Sequence, residues 1–110
     1  MILLLRERAT PEQLEQMLTE HKFYIKTAVD IERLVLVGGG DLHYDCEQAL
    51  LGDGSRQENI WAASFMPLTG KMIFESIVNL RPRQNKSMEI LDSNIRERVA
   101  QLVNEFLGNL

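Results

Sequence analysis

The pattern that most constrains this chain is a change of hydrophobic period along its length. In the last nineteen residues Ile95, Val99, Leu102, Val103, Phe106, Leu107 and Leu110 recur at i, i+4, i+7, i+8, i+11, i+12 and i+15. That spacing gathers them on one face of a helix capped at Asp92 or Ser93. Between Phe23 and Val37 the residues are instead β-branched or aromatic: Tyr24, Ile25, Thr27 and Val29, then Leu34, Val35, Leu36 and Val37. These read as two strands joined by a turn at Asp30–Arg33. One chain that carries both periods must pack helices against a sheet.

The rest of the order follows from local signals. Met1–Leu5 is an apolar run too short for a signal peptide or a membrane span, and it reads as a first strand. Thr10, Pro11 and Gln13 form a T-x-x-Q capping box with proline at the first helical position. That box opens a helix expected to stop near Lys22. Gly38-Gly39-Gly40 ends the strand at Val37, and Asp41 is the expected cap of a second helix. Leu42, Cys46, Ala49 and Leu50 form its buried face, and Gly52 is its expected stop. Asn59–Met66 and Lys71–Leu80 read as a hairpin around Pro67-Leu-Thr-Gly70. The expected architecture is a single α+β domain over residues 1–110, a mostly antiparallel sheet of about five strands in the order β-α-β-β-α-β-β-α.

A chain of 110 residues can bury one sizeable core. With Cys46 as its single cysteine it has no internal disulfide and no paired-thiolate zinc site, and a lone thiol suits a reducing, cytoplasmic setting. Net charge is −4 and uneven: residues 1–70 hold six Lys/Arg against eleven Asp/Glu, and residues 71–110 hold six against five. An acidic surface of this kind repels a phosphate backbone, so nucleic acid is not an expected partner. Nor is a membrane, and no cofactor is implied.

Two stretches could carry chemistry. In Gly38–Glu47, His43 and Glu47 are one helical turn apart with Asp45 beside them, and Asp30 or Glu32 could join them. His43, Asp45 and Glu47 are the candidate catalytic residues, as an imidazole–carboxylate acid–base pair or an N/O metal site; solvated side chains are the alternative. The glycines before them match neither a dinucleotide fingerprint nor a P-loop. Cys46, between Asp45 and Glu47, suits a buried core thiol better than a thiolate. The second stretch is Asn79–Glu89. Arg81 and Arg83 flank a proline that stiffens the loop, and Gln84, Asn85 and Lys86 add donors. Arg81, Arg83, Gln84 and Asn85 are the candidate ligand-binding residues, for a phosphate or carboxylate. The alternative is that both arginines pair with acids from the Asp30–Glu47 region. Trp61 is either hairpin packing or an interface anchor.

Val29-Asp-Ile-Glu32, Gly39-Gly-Asp-Leu-His43, Asp53-Gly-Ser55, the Trp61 strand and Asn79-Leu-Arg-Pro82 together resemble a family of small uncharacterised bacterial proteins, common in cyanobacteria. The resemblance implies a bacterial, single-domain protein and carries over no functional residue. H-E-x-x-H, G-x-S-x-G and nucleotide motifs are all absent from the sequence. The leading expectation is therefore a non-enzymatic binding or assembly module. It would form a homo-oligomer, through the last helix if that helix's apolar stripe is wider than one core covers. The alternatives are an enzyme or binding protein for a small anion, using Arg81 and Arg83 with His43, and an antitoxin-like interaction partner.

Overall fold

A computed structural model of the chain describes residues 1–108. Five strands, β1 (Leu3–Leu5), β2 (Ile25–Asp30), β3 (Val35–Gly38), β4 (Ile60–Met66) and β5 (Lys71–Ile73), form one antiparallel sheet in the order β1-β3-β2-β4-β5. Helices α1 (Pro11–Met17), α2 (His43–Gly52) and α3 (Ser93–Leu107) complete the expected α+β order. Strand β2 lies in the middle, with Val29 opposite Leu36 on one side and Trp61 on the other.

The helices divide between the two faces of the sheet. Ile25, Val29, Leu36, Trp61, Ala63 and Phe65 form one core with Met17 of α1 and with Val99, Val103 and Phe106 of α3. Ala28, Val35, Val37, Ile60 and Ala62 form a second core with Cys46 and Leu50 of α2. Central strands covered on both sides have no solvent face, which is why Ile60–Phe65 is buried without interruption. The apolar stripe of α3 is consumed here. Val99, Leu102, Val103, Phe106 and Leu107 are all buried against the protein's own sheet, at about 2 kcal/mol each. The stripe is no wider than its core, so the condition for self-association through α3 is not met among the described residues; Leu110 lies outside them.

Helix ends follow side-chain chemistry, with two departures from expectation. At α1, the Gln13 N–H donates to Thr10 Oγ1 (3.2 Å) and the Thr10 N–H donates to Gln13 Oε1 (2.9 Å), the expected capping box. The helix stops at Met17 rather than near Lys22, where Thr19 turns its hydroxyl back onto the Gln16 carbonyl (2.8 Å). Helix α2 begins at His43, one residue after Leu42, so Asp41 is not its cap. Instead Asp45 accepts the Leu42 N–H (3.1 Å) from inside the first turn, and Leu42 is exposed rather than buried. Helix α2 ends at Gly52 as expected, and Gly54, just past the C-cap Asp53, closes it. Gly54 has φ +101°, its N–H donates to Leu51 O, and the Ser55 N–H donates to Leu50 O, which together make a Schellman motif. Asp92 caps α3 as expected, accepting from Asn94 and Ile95.

The last correction concerns the hairpin. Strand β5 ends at Ile73, not Leu80; beyond it come a single bridge from Glu75 to Glu89 and a 3₁₀ turn at Ile77–Asn79. The alternation of Met72, Phe74, Ser76 and Val78 mimics a strand, but another element takes over the edge of β4 there.

Candidate functional site

Only the far half of β4, Ser64–Met66, is paired by β5. Nearer its start, side chains cover the edge. Asn79 Oδ1 accepts the Ala62 N–H (2.8 Å), and Asn79 Nδ2 donates to Ala62 O (3.0 Å). A carboxamide has one donor end and one acceptor end, as a peptide group does, so Asn79 stands in for a residue of the absent strand. Its Nδ2 also lies 3.2 Å from Phe74 O and 3.3 Å from Met88 O. Asn85 fastens the same loop, with Nδ2 near the carbonyls of Asn79, Ser87 and Glu89 and Oδ1 accepting from Leu91 N–H. Both asparagines are buried.

Arg81 continues this cover. Its guanidinium donates to Ile60 O, and its Cζ lies 4.2 Å from the centroid of the buried Trp61 ring, a cation–π stack. Burial lowers its pKa from the ordinary arginine value, and the charge of Glu47 opposes that. Arg81 Nε and Trp61 Nε1 are buried with no hydrogen-bond partner among the described residues. Outside this stack lies a groove of about 480 Å³, with Gln57 and Glu58 on one wall and Leu80, Arg81, Pro82, Arg83 and Gln84 on the other.

Asp30 and Glu47 of the anticipated region, and the nearby Asp53 and Glu58, make other contacts. Among the described residues, no carboxylate lies within 4.0 Å of Arg81 or Arg83. Asp53 takes Arg33 and Arg6 at 2.7 Å each, and those hydrogen bonds hold its pKa below the usual carboxylate range. Asp30 Oδ1 accepts the N–H groups of Glu32 and Arg33 (2.9 Å each) and so fixes the β2–β3 turn. Glu58 sits 3.6 Å from Arg56. Glu47, buried in α2, accepts from Gln57 Nε2 at 3.5 Å.

The sequence model of one family, described as protein of unknown function (DUF5674), matches residues 3–106. The chain belongs to this family. No curated protein and no solved structure matches it.

In this DUF5674 chain the catalytic candidates do not converge. His43 Nε2 lies 3.3 Å from Ala63 O and 3.1 Å from Ser64 Oγ. Because a carbonyl can only accept, Nε2 carries the proton in the Ala63 contact and cannot also take one from Ser64. Burial, then the charges of Lys26 and His21, push the His43 pKa down to about 4 against a smaller opposing effect of Ala63. At neutral pH the imidazole is uncharged and a poor base. Asp45 is occupied with Leu42, and neither it nor Glu47 bonds to His43 among the described residues. His43 meets β4 at Ser64 and Arg81 meets it at Ile60, about 13 Å apart along the strand. Glu47, one turn along α2, is the candidate whose charge reaches Arg81.

Cys46 is a core thiol, its pKa pushed up to about 11 by burial, with Sγ donating to Lys26 O at 3.4 Å. Gly39, at φ +92°, lies where a Cβ would meet Met1 O at 2.1 Å, so the glycine run serves close packing. Among the described residues no three His, Cys, Asp or Glu side chains are placed to share a metal ion. Sequence reasoning missed Asn79 as a strand substitute and Ser64 as the partner of His43. In the alternation Asn79 falls on the face opposite Met72, Phe74, Ser76 and Val78, so nothing local marked either one.

Proposed function

We propose that this protein is a non-enzymatic binding module that takes a small phosphate or carboxylate ligand in the groove beside Arg81 and Arg83. The observation that carries this is the absence of any carboxylate partner for either arginine among the described residues, in a protein with a surplus of acids. Arg81 supplies a guanidinium held over Trp61, and the exposed Arg83 closes over a ligand from the far side of Pro82. Gln57 and Gln84 add amide donors at the walls, while Asn85 acts indirectly by holding the loop. A bacterial, cytoplasmic setting belongs to the same proposal, supported by the family resemblance and the single reduced thiol.

The test is titration with inorganic phosphate and with a dicarboxylate, followed by the fluorescence of Trp61, the only tryptophan. Saturable quenching is expected, weakened about tenfold by Arg83→Gln, which removes one charged hydrogen-bonding group. A flat response to both anions at millimolar concentration would sink the proposal.

A second reading, self-association, draws on the same loop. Ile77, Leu80, Met88 and Leu91 are exposed there, whereas α3 has no stripe to spare. Sedimentation at micromolar concentration tests it: a dimer lost on Met88→Ser/Leu91→Ser supports it, and a monomer refutes it.

A further inference from the structure

The end of the sheet where β2 begins and β4 finishes has a different chemistry from the rest of the molecule. Phe23 and Leu68, 73% and 88% exposed, are the two most exposed large apolar side chains among the described residues. Ile25 pairs with Phe65, so the turn before β2, which bears Phe23, and the turn after β4, which bears Leu68, are neighbours. His21 Nε2–H donates to Asp41 O (2.9 Å), bringing the half-exposed Leu42 and Tyr44 to the same end. Both turns are held in shape. His21 stacks on Tyr24 with ring centroids 4.7 Å apart, and Gly70, at φ +74°, donates its N–H to Met66 O.

Charge sorts the same way. Three of the four lysines, Lys22, Lys26 and Lys71, stand at this end, against Glu20, Asp41 and Asp45, in a protein of net charge −4. The opposite end carries the Arg6–Asp53–Arg33 network and Asp30. We infer that this protein seats peripherally on an anionic lipid surface through Phe23 and Leu68, with the lysines meeting the headgroups. Apolar side chains raised on separate turns suit an interface that deforms around them, while lysine stems lie along it with their charges in the headgroup layer. The sequence-based expectation of no membrane partner rested on the lack of a span. Among the described residues no helix is long and apolar enough to cross a membrane, and peripheral seating requires none.

The test is co-sedimentation with vesicles of phosphatidylcholine alone and with about 30 mol% phosphatidylserine added. Binding to the anionic vesicles is expected, several-fold above neutral ones and weakened by salt. Phe23→Ser/Leu68→Ser should cut it about tenfold or more at unchanged melting temperature. Equal sedimentation with both vesicle types, or binding indifferent to the two substitutions, would overturn the inference. So would a concentration-dependent dimer, dissolved by those substitutions, without vesicle binding; the surface would then belong to a second copy of the chain.

Discussion

Two regions of this molecule invert the usual sorting of side chains, in opposite directions. Between Asn79 and Leu91, polar groups are inside: Asn79 is fully buried and Asn85 is 2% exposed. At the turns bearing Phe23 and Leu68, apolar groups are outside. The first inversion is stable because each buried carboxamide is matched to backbone groups that would otherwise lack partners. The second has no such internal account, since exposed apolar area gains nothing from the fold that exposes it. A buried polar group that satisfies the chain's own backbone is structure. An exposed apolar group flanked by lysines points outward, to something the chain meets.

The sharpest way to break the first half of this comparison is at Asn79. Asn79→Ala strands the Ala62 N–H and C=O at the edge of β4, and at about 1–3 kcal/mol per stranded buried group the loss should reach about 3 kcal/mol or more. Urea unfolding would show this, with a melting temperature lower by about 10 °C. Asn79→Asp is the informative companion. It keeps the acceptor for Ala62 N–H but sets a carboxylate oxygen against the carbonyls of Ala62, Phe74 and Met88, so it should be no milder. A cost below about 1 kcal/mol for both would mean that the edge finds other partners.

How much of this was legible depends on whether the relevant contacts are local. The Thr10–Gln13 box and the Asp92 cap lie within one helical turn, and both could be read directly. The alternation from Met72 to Val78 was equally visible and misled, because it records which side chains face inward and not what pairs with the backbone. Asn79 reaches Ala62 across 17 residues, and nothing near either one announces the pairing. Arg81 and Arg83 were legible as a cationic pair. That one is pinned on Trp61 and the other is exposed could not be seen, because the difference lies in Ile60 and Trp61, about twenty residues away.

His43 gives the next largest effect, at the end of the sheet that bears the exposed turns. Its folded pKa of about 4 lies below the 6.5 of the free side chain. Above pH 6.5 both states are neutral and the full stability is present. As pH falls from there the unfolded chain takes a proton that the folded one refuses, so stability drains away until about pH 4 and this site then contributes no further loss. The whole excursion is on the order of 3 kcal/mol. The neighbouring Lys26 and His21 work in the same direction. His43→Gln should flatten this part of the pH profile. An unchanged slope between pH 6.5 and 4 would show that other groups carry it.

The two arginines then separate structure from binding within one loop. Arg81→Met keeps a stem over Trp61 but gives up the donor to Ile60 O and the cation–π stack, a loss of about 1–2 kcal/mol. Arg83→Gln alters an exposed side chain and should stay within about 0.5 kcal/mol of the native protein. Equal costs in chemical denaturation would contradict the division of labour between them.

The smallest expected effect is the most telling for the comparison. Phe23→Ser/Leu68→Ser removes two large apolar side chains, a change that in a core costs about 3–5 kcal/mol for a single phenylalanine. Phe65, 2% exposed and in the same sheet, is the control and should behave that way. At 73% and 88% exposure, Phe23 and Leu68 are already in water in the folded state, so removing them takes little from the fold. Unfolding in urea should place the double variant within about 0.5 kcal/mol of the native protein. A loss of 2 kcal/mol or so would show that the two side chains pack against the protein in solution, well beyond what an exposed pair can cost. The outward-facing half of the comparison would then dissolve into ordinary burial. A null result on stability, set beside a loss of vesicle binding, would leave those two side chains with a role that only an external surface can supply.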